Sequence, residues 1–382
     1  MELVTDIQIE VNGIRYTGWE SVSVTKTIET LCGSFEFDGS FTKGKTFPVK
    51  VNDECKIYVN DTAVVNGYVE TLKVSIDAST HRLSISGRDR TCDLVDNTLS
   101  PAIPLPKLPA TVKQIIEKVL QFYGMTNIKV IDPYNLAPIK EVITAELGQT
   151  AEDLIQQYAS KRNVLITTNN DGDIVFQRAG TDIYKTILTR NKKDYQVIKG
   201  SDMSFDNTKR FHEYRITDQG NSMSDYYIGN QSTTKQNSDV SAKDFDEEIR
   251  KTRIYYLSSD DTSEDEDVKK RVKWEGNFRR AQSVVYECDV VGFKPLLDNG
   301  IWLPNKLVRI DDVESNITNA TLLISSVTFK KDNNEGSITH LKCVPQDSFT
   351  LQLNKPKKQK SDELDFGKFY VKDLSSGDGN NA

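Results

Sequence analysis

Apolar and polar residues alternate at Ile7, Ile9 and Val11, and again at Ile14 and Tyr16. Between the two runs stands Asn12-Gly13. Period two is the strand period, and Asn-Gly supplies the left-handed backbone a tight hairpin needs, so a hairpin is predicted here. The alternation returns at Val22 and Val24, at Phe35 and Phe37, in Ile57-Tyr58-Val59, and over a long run from about Ala63 to Ile76. Gly67 within that run predicts a bulge or a close backbone approach. Asp77–Thr80 then turns the chain into Leu83–Ser86. Short strands at this spacing indicate a sandwich or a barrel.

The period changes after residue 100. Pro101, Pro104, Pro106 and Pro109 predict a stiff linker at a domain boundary. Beyond it Val112, Ile115, Ile116, Val119, Leu120 and Tyr123 fall on one helical face, with Thr111 as cap and Gly124 as stop. A second helix starts at Thr150, with Asp153 three residues on, and carries Leu154, Ile155, Tyr158 and Ala159. A hairpin of Val164–Thr168 and Ile174–Gln177 completes a small α+β unit. Tyr195–Val197, Glu213–Ile216 and Ile254–Leu257 read as strands, and the polar stretch 218–246 as loop. Six acids between Asp260 and Asp267 precede Lys269, Lys270, Arg271 and Lys273, which fits a solvated helix over about 263–282 with acids at its start. Four strands follow, at Val284–Phe293, Ile301–Ile310, Thr321–Lys330 and Ser337–Val344. After residue 353 a lysine-bearing tail (Lys355, Lys357, Lys358, Lys360) is of the kind that a partner has to order.

Composition narrows the class without naming a function. At about 150 residues per domain, 382 residues make two or three domains. A net charge of −7 argues against a dedicated nucleic-acid binder. No apolar run reaches the length of a membrane span, and the first residues do not read as a secretory signal. Five cysteines, Cys32, Cys55, Cys92, Cys288 and Cys343, are scattered and never in a C-x-x-C pair, which suits buried thiols in a reducing compartment. Nucleotide-binding, serine-hydrolase and zinc-protease signatures are absent, and the three histidines, His81, His212 and His340, lie in strand or turn contexts. Neither a catalytic residue, nor a cofactor, nor a metal site is therefore expected. Ser86-Gly87-Arg88-Asp89-Arg90 makes a weak phosphate cradle and a better turn at the end of the first β domain.

Five segments, in order, carry a resemblance: Val11-Asn12-Gly13 with Gly18–Glu29, Ser86–Asp96, Leu147–Leu154, Val272–Glu275 with Arg279-Arg280-Ala281, and Gly300–Asn305. As a set they resemble the baseplate hub proteins of Mu-like contractile-tailed phages and prophages (the tail protein P family). The family-motif residues are Trp19, Gly87, Arg88, Asp93, Leu94, Trp274, Glu275, Trp302 and Pro304, with structural or interface roles. The resemblance implies a mainly β fold with α+β content. Two similar β-barrel domains would occupy 1–100 and 184–217 with 283–352. A smaller split α+β domain would occupy 107–183 and 218–282, and a C-terminal tail 353–382. It further implies a homotrimer whose six barrels make a pseudo-sixfold ring. That ring would join the tail tube, or its initiator proteins, to the central spike protein and to other baseplate proteins. Its channel would let DNA pass without specific binding. The expected location is the virion tail baseplate, assembled in the host bacterial cytoplasm without a membrane anchor. A hub with cell-wall hydrolase activity and a stand-alone carbohydrate-binding β protein are the alternatives.

Overall fold

A computed structural model describes residues 6–41, 47–77, 81–140, 143, 145, 148–160, 162, 164–190, 196–217, 240–258 and 265–349. The chain begins with seven strands: β1 (Ile7–Val11), β2 (Ile14–Tyr16), β3 (Ser21–Thr27), β4 (Ser34–Ser40), β5 (Glu54–Val59), β6 (Thr62–Ile76) and β7 (His81–Asp89). Asn12 and Gly13 both take positive φ, 52° and 76°, and close the first hairpin. In β1, β3, β4, β5 and β7, buried residues alternate with exposed or half-buried ones. The inward set includes Ile7, Ile9, Val22, Val24, Phe35, Phe37, Ile57, Val59, Leu83 and Ile85. Burying such side chains at about 25 cal/mol per Å² is what holds the curved sheet together.

The next module contains α1 (Cys92–Asp96), α2 (Val112–Phe122), β8 (Val130–Ile131), α3 (Ala151–Ser160), β9 (Leu165–Thr168) and β10 (Ile174–Gln177). Its helix starts match their sequence signals. Thr111 and Gln114 form a reciprocal capping box, and Thr150 and Asp153 exchange the same pair of bonds. One apolar core runs from Leu94 through α2 and α3 to Phe176. Leu99 and Ile103 belong to that core and Leu105 packs against it, so the proline-rich run is folded onto the module and is not a free linker. Proline fixes the backbone; Leu99, Ile103 and Leu105 decide where it lies.

The third part contains β11 (Asp182–Thr189) and β12 (Gln196–Phe205), then β13 (Glu213–Thr217), β14 (Val240–Phe245), β15 (Ile254–Ser258) and α4 (Asp265–Gln282). Last come β16 (Val284–Val291), β17 (Lys306–Asp312), β18 (Ile317–Asp332) and β19 (Gly336–Val344). Residues 301–305, expected as strand, form an irregular approach to β17. There Trp302 fills the core and Asn305 adopts φ 65°.

The chain divides into two compact units. The second takes Met203–Val285 and Val344–Gln359, and its main part is thus inserted between the start of β12 and most of β16. Within it β13 lies between antiparallel β14 and parallel β15. Tyr214, Ile216, Ala242 and Val272 form its core. Most of 218–246 and the acidic start of the α4 region lie outside the described residues, although β14 ends the former.

In the first unit one 13-stranded sheet runs β17-β11-β12-β16-β19-β18-β3-β4-β7-β6-β5-β1-β2, and β17 also pairs with β18. The last pairing closes β17-β11-β12-β16-β19-β18 into a six-stranded barrel. Its neighbour order, β12-β16-β19-β18-β17-β11, repeats that of the first barrel, β3-β4-β7-β6-β5-β1. Each barrel is thus built from strands taken in the same chain order, with β2 as an extra edge. The copies differ at their first strand: β1 pairs antiparallel with β5, whereas β11 pairs parallel with β17.

Gly67 shows why one glycine is required. A Cβ there would lie 1.8 Å from the Arg88 carbonyl oxygen. Gly67→Ala is expected to destabilise the protein by about 3 kcal/mol or more, read from urea unfolding, because neither backbone can retreat without breaking the β6–β7 ladder.

Candidate functional site

The polar residues that position these parts gather at two buried carboxylates in the first unit. Asp89, the last residue of β7, is fully buried. Its Oδ2 accepts from the Gly33 N–H at 2.9 Å and the Thr168 hydroxyl at 3.0 Å, and its Oδ1 accepts from the Asn66 N–H at 3.3 Å. The Lys26 ammonium, itself buried, stands 3.8 Å from Oδ2 and donates to Thr168 Oγ1 and the Asn169 carbonyl. Gly33, Asn66 and Lys26 belong to the first barrel; Thr168 and Asn169 belong to the α+β module. Asp89 therefore fastens the one to the other. Around it, Glu152 accepts the Leu31 N–H at 2.7 Å, Asn66 donates to the Asp171 carbonyl and Arg90 to the Asn127 carbonyl.

Asp312, at the end of β17, is also fully buried. Arg190 Nε donates to Oδ1 at 2.8 Å; the hydroxyls of Ser201, Tyr286 and Ser315 donate to Oδ2 at 2.7, 2.8 and 2.8 Å. Burial opposes ionisation, but the guanidinium and the three hydroxyls outweigh it and hold the carboxyl at about 2. Four separate segments of the second barrel converge on this one side chain. Asn305 makes the corresponding joint between the α+β module and that barrel. Its side chain accepts the Gly180 N–H and donates to Gln177 Oε1 and the Arg178 carbonyl. These carboxylates and this amide are filled by fixed donors and acceptors, which suits holding elements in place.

The residues singled out in the sequence fall around these joints without meeting in one place. Trp19 donates its indole N–H to the Tyr16 carbonyl and packs edge-on against Phe37, with ring centroids 5.2 Å apart. Gly87 is required because a Cβ would lie 1.9 Å from the Tyr68 carbonyl oxygen. Arg88 grips Glu70 and Asp96 in two-point pairs, with its shortest contacts at 2.6 Å, and these carboxylates push its pKa further up. With Ser23, Ser34, Phe35, Glu36 and Ser86 it lines an open depression of about 320 Å³. Asp93 sits exposed in the first turn of α1, whereas Leu94 is buried in the module core.

Trp302 is fully buried and packs edge-on against Tyr184, with ring centroids 4.9 Å apart, and Pro304 opens the turn that sets Asn305. In the second unit Glu275 receives Arg279 Nε at 2.6 Å. Trp274 is on α4, and its side chain lies outside the described residues. Asp89 and Arg88 were both within the quoted Ser86–Arg90 segment. The phosphate-cradle alternative for that segment fails because Ser86–Asp89 is part of strand β7 and the Asp89 and Arg90 N–H groups already donate to the Gly33 and Asn66 carbonyls. Lys26 and Asn305 also lie within named segments, Gly18–Glu29 and Gly300–Asn305, while Thr168 and Asp312 carry no local signal, since each matters only through partners far along the chain.

The cysteines are protected thiols. Burial pushes Cys32 up to about 11 and Cys55 and Cys92 up to about 12, away from the thiolate form a nucleophile needs. His340 is tied to Asp289 at 2.8 Å, and His212 to the Asp246 carbonyl at 2.9 Å.

Residues 6–89 match the family model for the N-terminal domain of Mu phage baseplate assembly protein GpP-like proteins. Residues 91–178 match that for the second domain of baseplate hub protein gp44-like proteins. Over 356 residues the chain is 24% identical to the baseplate hub protein gp44 of Escherichia phage Mu, spanning 93% of this chain and 91% of that one. The chain is similar to the Mu-like baseplate hub proteins. Two solved structures share its fold. The 43 kDa tail protein of prophage MuSo2 from Shewanella oneidensis gives a TM-score of 0.73 at 24% identity, covering 91% of this chain and 98% of that one. The tail protein from Neisseria meningitidis MC58 gives 0.71 at 18% identity, covering 90% and 98%. The two family models meet at Arg90, so the Asp89 joint lies at the seam between the two matched domains.

Asp89→Ala is expected to cost roughly 3–5 kcal/mol in urea unfolding, because it leaves Lys26 buried without its counter-charge. The second barrel should show an acid transition. Asp312 has a folded pKa of about 2, below the usual value near 4 for an unfolded aspartate. Its contribution is therefore complete above about pH 4 and lost as pH falls toward about 2. Asp312→Asn should cost about 2–3 kcal/mol at pH 7 and flatten that part of the stability–pH curve.

Proposed function

We propose that this chain is a structural, non-catalytic hub that acts as a homotrimer in the tail baseplate. Three chains with two barrels each present six similar units, so a single gene product forms a pseudo-sixfold ring while keeping threefold symmetry. The ring joins a sixfold tail tube, or its initiator proteins, on one side to a threefold central spike on the other. Other baseplate proteins attach around it. The observation that carries this reading is the repeated strand order: two barrels with the same neighbour sequence stand side by side in one continuous sheet. The channel passes DNA during ejection, and a chain charge of −7 suits passage without binding, since like charge disfavours sticking to the phosphate backbone. Assembly takes place in the bacterial cytoplasm, where the five free thiols stay reduced.

Light scattering on the purified chain, alone and with its spike protein, tests this. A species of three chains is expected, and negative-stain images should show a ring with six lobes. A chain that stays monomeric under both conditions, with no ring, would defeat the proposal.

A further inference from the structure

The junction between the two barrels is a strand pairing. The far half of β18 lies antiparallel to β3, from Ser326 opposite Thr27 to Asp332 opposite Ser21. β18 reaches this partner because its near half is already used by β17, whose pairing ends at Leu323. The first barrel contains the matching strand, β6, in the same place of the repeat.

The two strands can be aligned residue by residue. Asn305, left-handed at φ 65°, donates its N–H to the Ile324 carbonyl at 2.8 Å; Asn52, left-handed at φ 72°, donates its N–H to the Val69 carbonyl at 2.7 Å. Val69 therefore corresponds to Ile324, and Thr71–Ile76 to Ser326–Lys331. In β18 that stretch is covered by β3, and Val327 and Phe329 are fully buried. Their counterparts in β6 are Leu72, half-buried, and Val74, 47% exposed; Ile76 beside them is 65% exposed. Among the described residues β6 pairs only with β5 and β7, and its pairing with β5 ends at Tyr68. Its outer edge from Thr71 to Ile76 thus meets no strand. A strand edge with unpaired backbone groups and apolar side chains is a ready template for another strand.

The strand in the second barrel that corresponds to β3 is β12. Among the described residues its outer edge pairs with β11 only at Gln196 and Val197. Among the described residues the edge from Ile198 to Asp202 meets no strand. We infer that the outer edge of β6 pairs antiparallel with the outer edge of β12 from a second copy of this chain. This is the same junction that β18 and β3 make within one chain. Backbone hydrogen bonds across the edge give affinity, and covering Val74 and Ile76 adds to it. Three such contacts, alternating with three internal β18–β3 junctions, would close one sheet around the ring. The inference rests on the proposed trimer and names the surface that builds it.

Amide hydrogen exchange and light scattering on the full chain test this, with wild type compared against the double variant Val74→Asp/Ile76→Asp and the control Ile14→Asp on β2. Ile14 is also exposed, at 55%. In wild type, amides of 71–76 and 198–202 should be slowed in the assembled species and fast after dilution to single chains. The double variant should weaken self-association by about tenfold or more with an unchanged circular dichroism spectrum, and the control should not. Assembly with both edges still fast, or undiminished in the double variant, overturns the edge assignment and leaves the trimer standing. A wild-type chain that never self-associates removes the trimer and this surface together. The exchange measurement on wild type needs no variant, so a substitution that impairs folding does not block the test.

Discussion

The architecture depends on one long strand having two partners on the same side. β18 spends its first half beside β17, which closes the second barrel, and its second half beside β3, which belongs to the first. A strand of ordinary length, five or six residues, would serve one of these roles. At 16 residues β18 serves both, and two barrels become one sheet instead of two bodies on a hinge. A backbone ladder is well suited to this, since its register is set by which side chains face inward and a one-residue slip would turn Val327 and Phe329 to the outside. The hydroxyls of Thr25 and Thr328 meet across it at 2.9 Å.

The α+β module is held by different physics. Its core takes in Leu31 from the β3–β4 link of the first barrel, and polar groups set the position of the contact. Asp89 and Lys26 illustrate the trade. A buried ion pair contributes little net energy once desolvation is counted, but it allows one arrangement and penalises others. Asn66 and Thr168 bind the same carboxylate from two domains, so displacing the module takes the Thr168 hydroxyl from both Asp89 and Lys26. Asn305 does the same at the module's other end without a charge, through three bonds from one amide.

Much of the local structure was legible along the chain. The Asn12-Gly13 hairpin, the Thr111 and Thr150 caps, the apolar face of α2 and the four late strands follow from short-range chemistry, and they formed close to where the pattern placed them. What could not be read was contact between distant segments. Ser21 and Asp332 are opposite each other although they lie far apart along the chain. Glu213–Ile216 reads as one more strand, yet it is the centre of a separate small sheet because Ile254–Ser258 and Val240–Phe245 flank it. The prolines between 101 and 109 marked stiffness, but Leu99 and Ile103 determined that the segment would be buried. Trp302 read as part of a strand; its ring needed the space beside Tyr184, and the backbone turns irregular to deliver it. Of the motif residues, Gly87 and Leu94 are explained by packing, while Arg88 works as a surface clamp between β6 and α1.

The repeat is the least visible feature of all, and the reason is physical. Barrel strands constrain only polarity and length, so duplicated barrels can lose every shared residue and keep their order. Asn52 and Asn305 persist as a pair because each sits where the chain enters a strand with positive φ, a backbone state that asparagine tolerates better than most residues. The copies also diverge where divergence is free. The first barrel has a six-residue link between β3 and β4, at residues 28–33; the second carries an entire inserted unit between β12 and β16. A closed barrel resists deformation when a loop is lengthened, because loop closure grows only slowly in cost with length. The same framework can therefore hold its place in a ring while the segments between its strands are free to meet different partners.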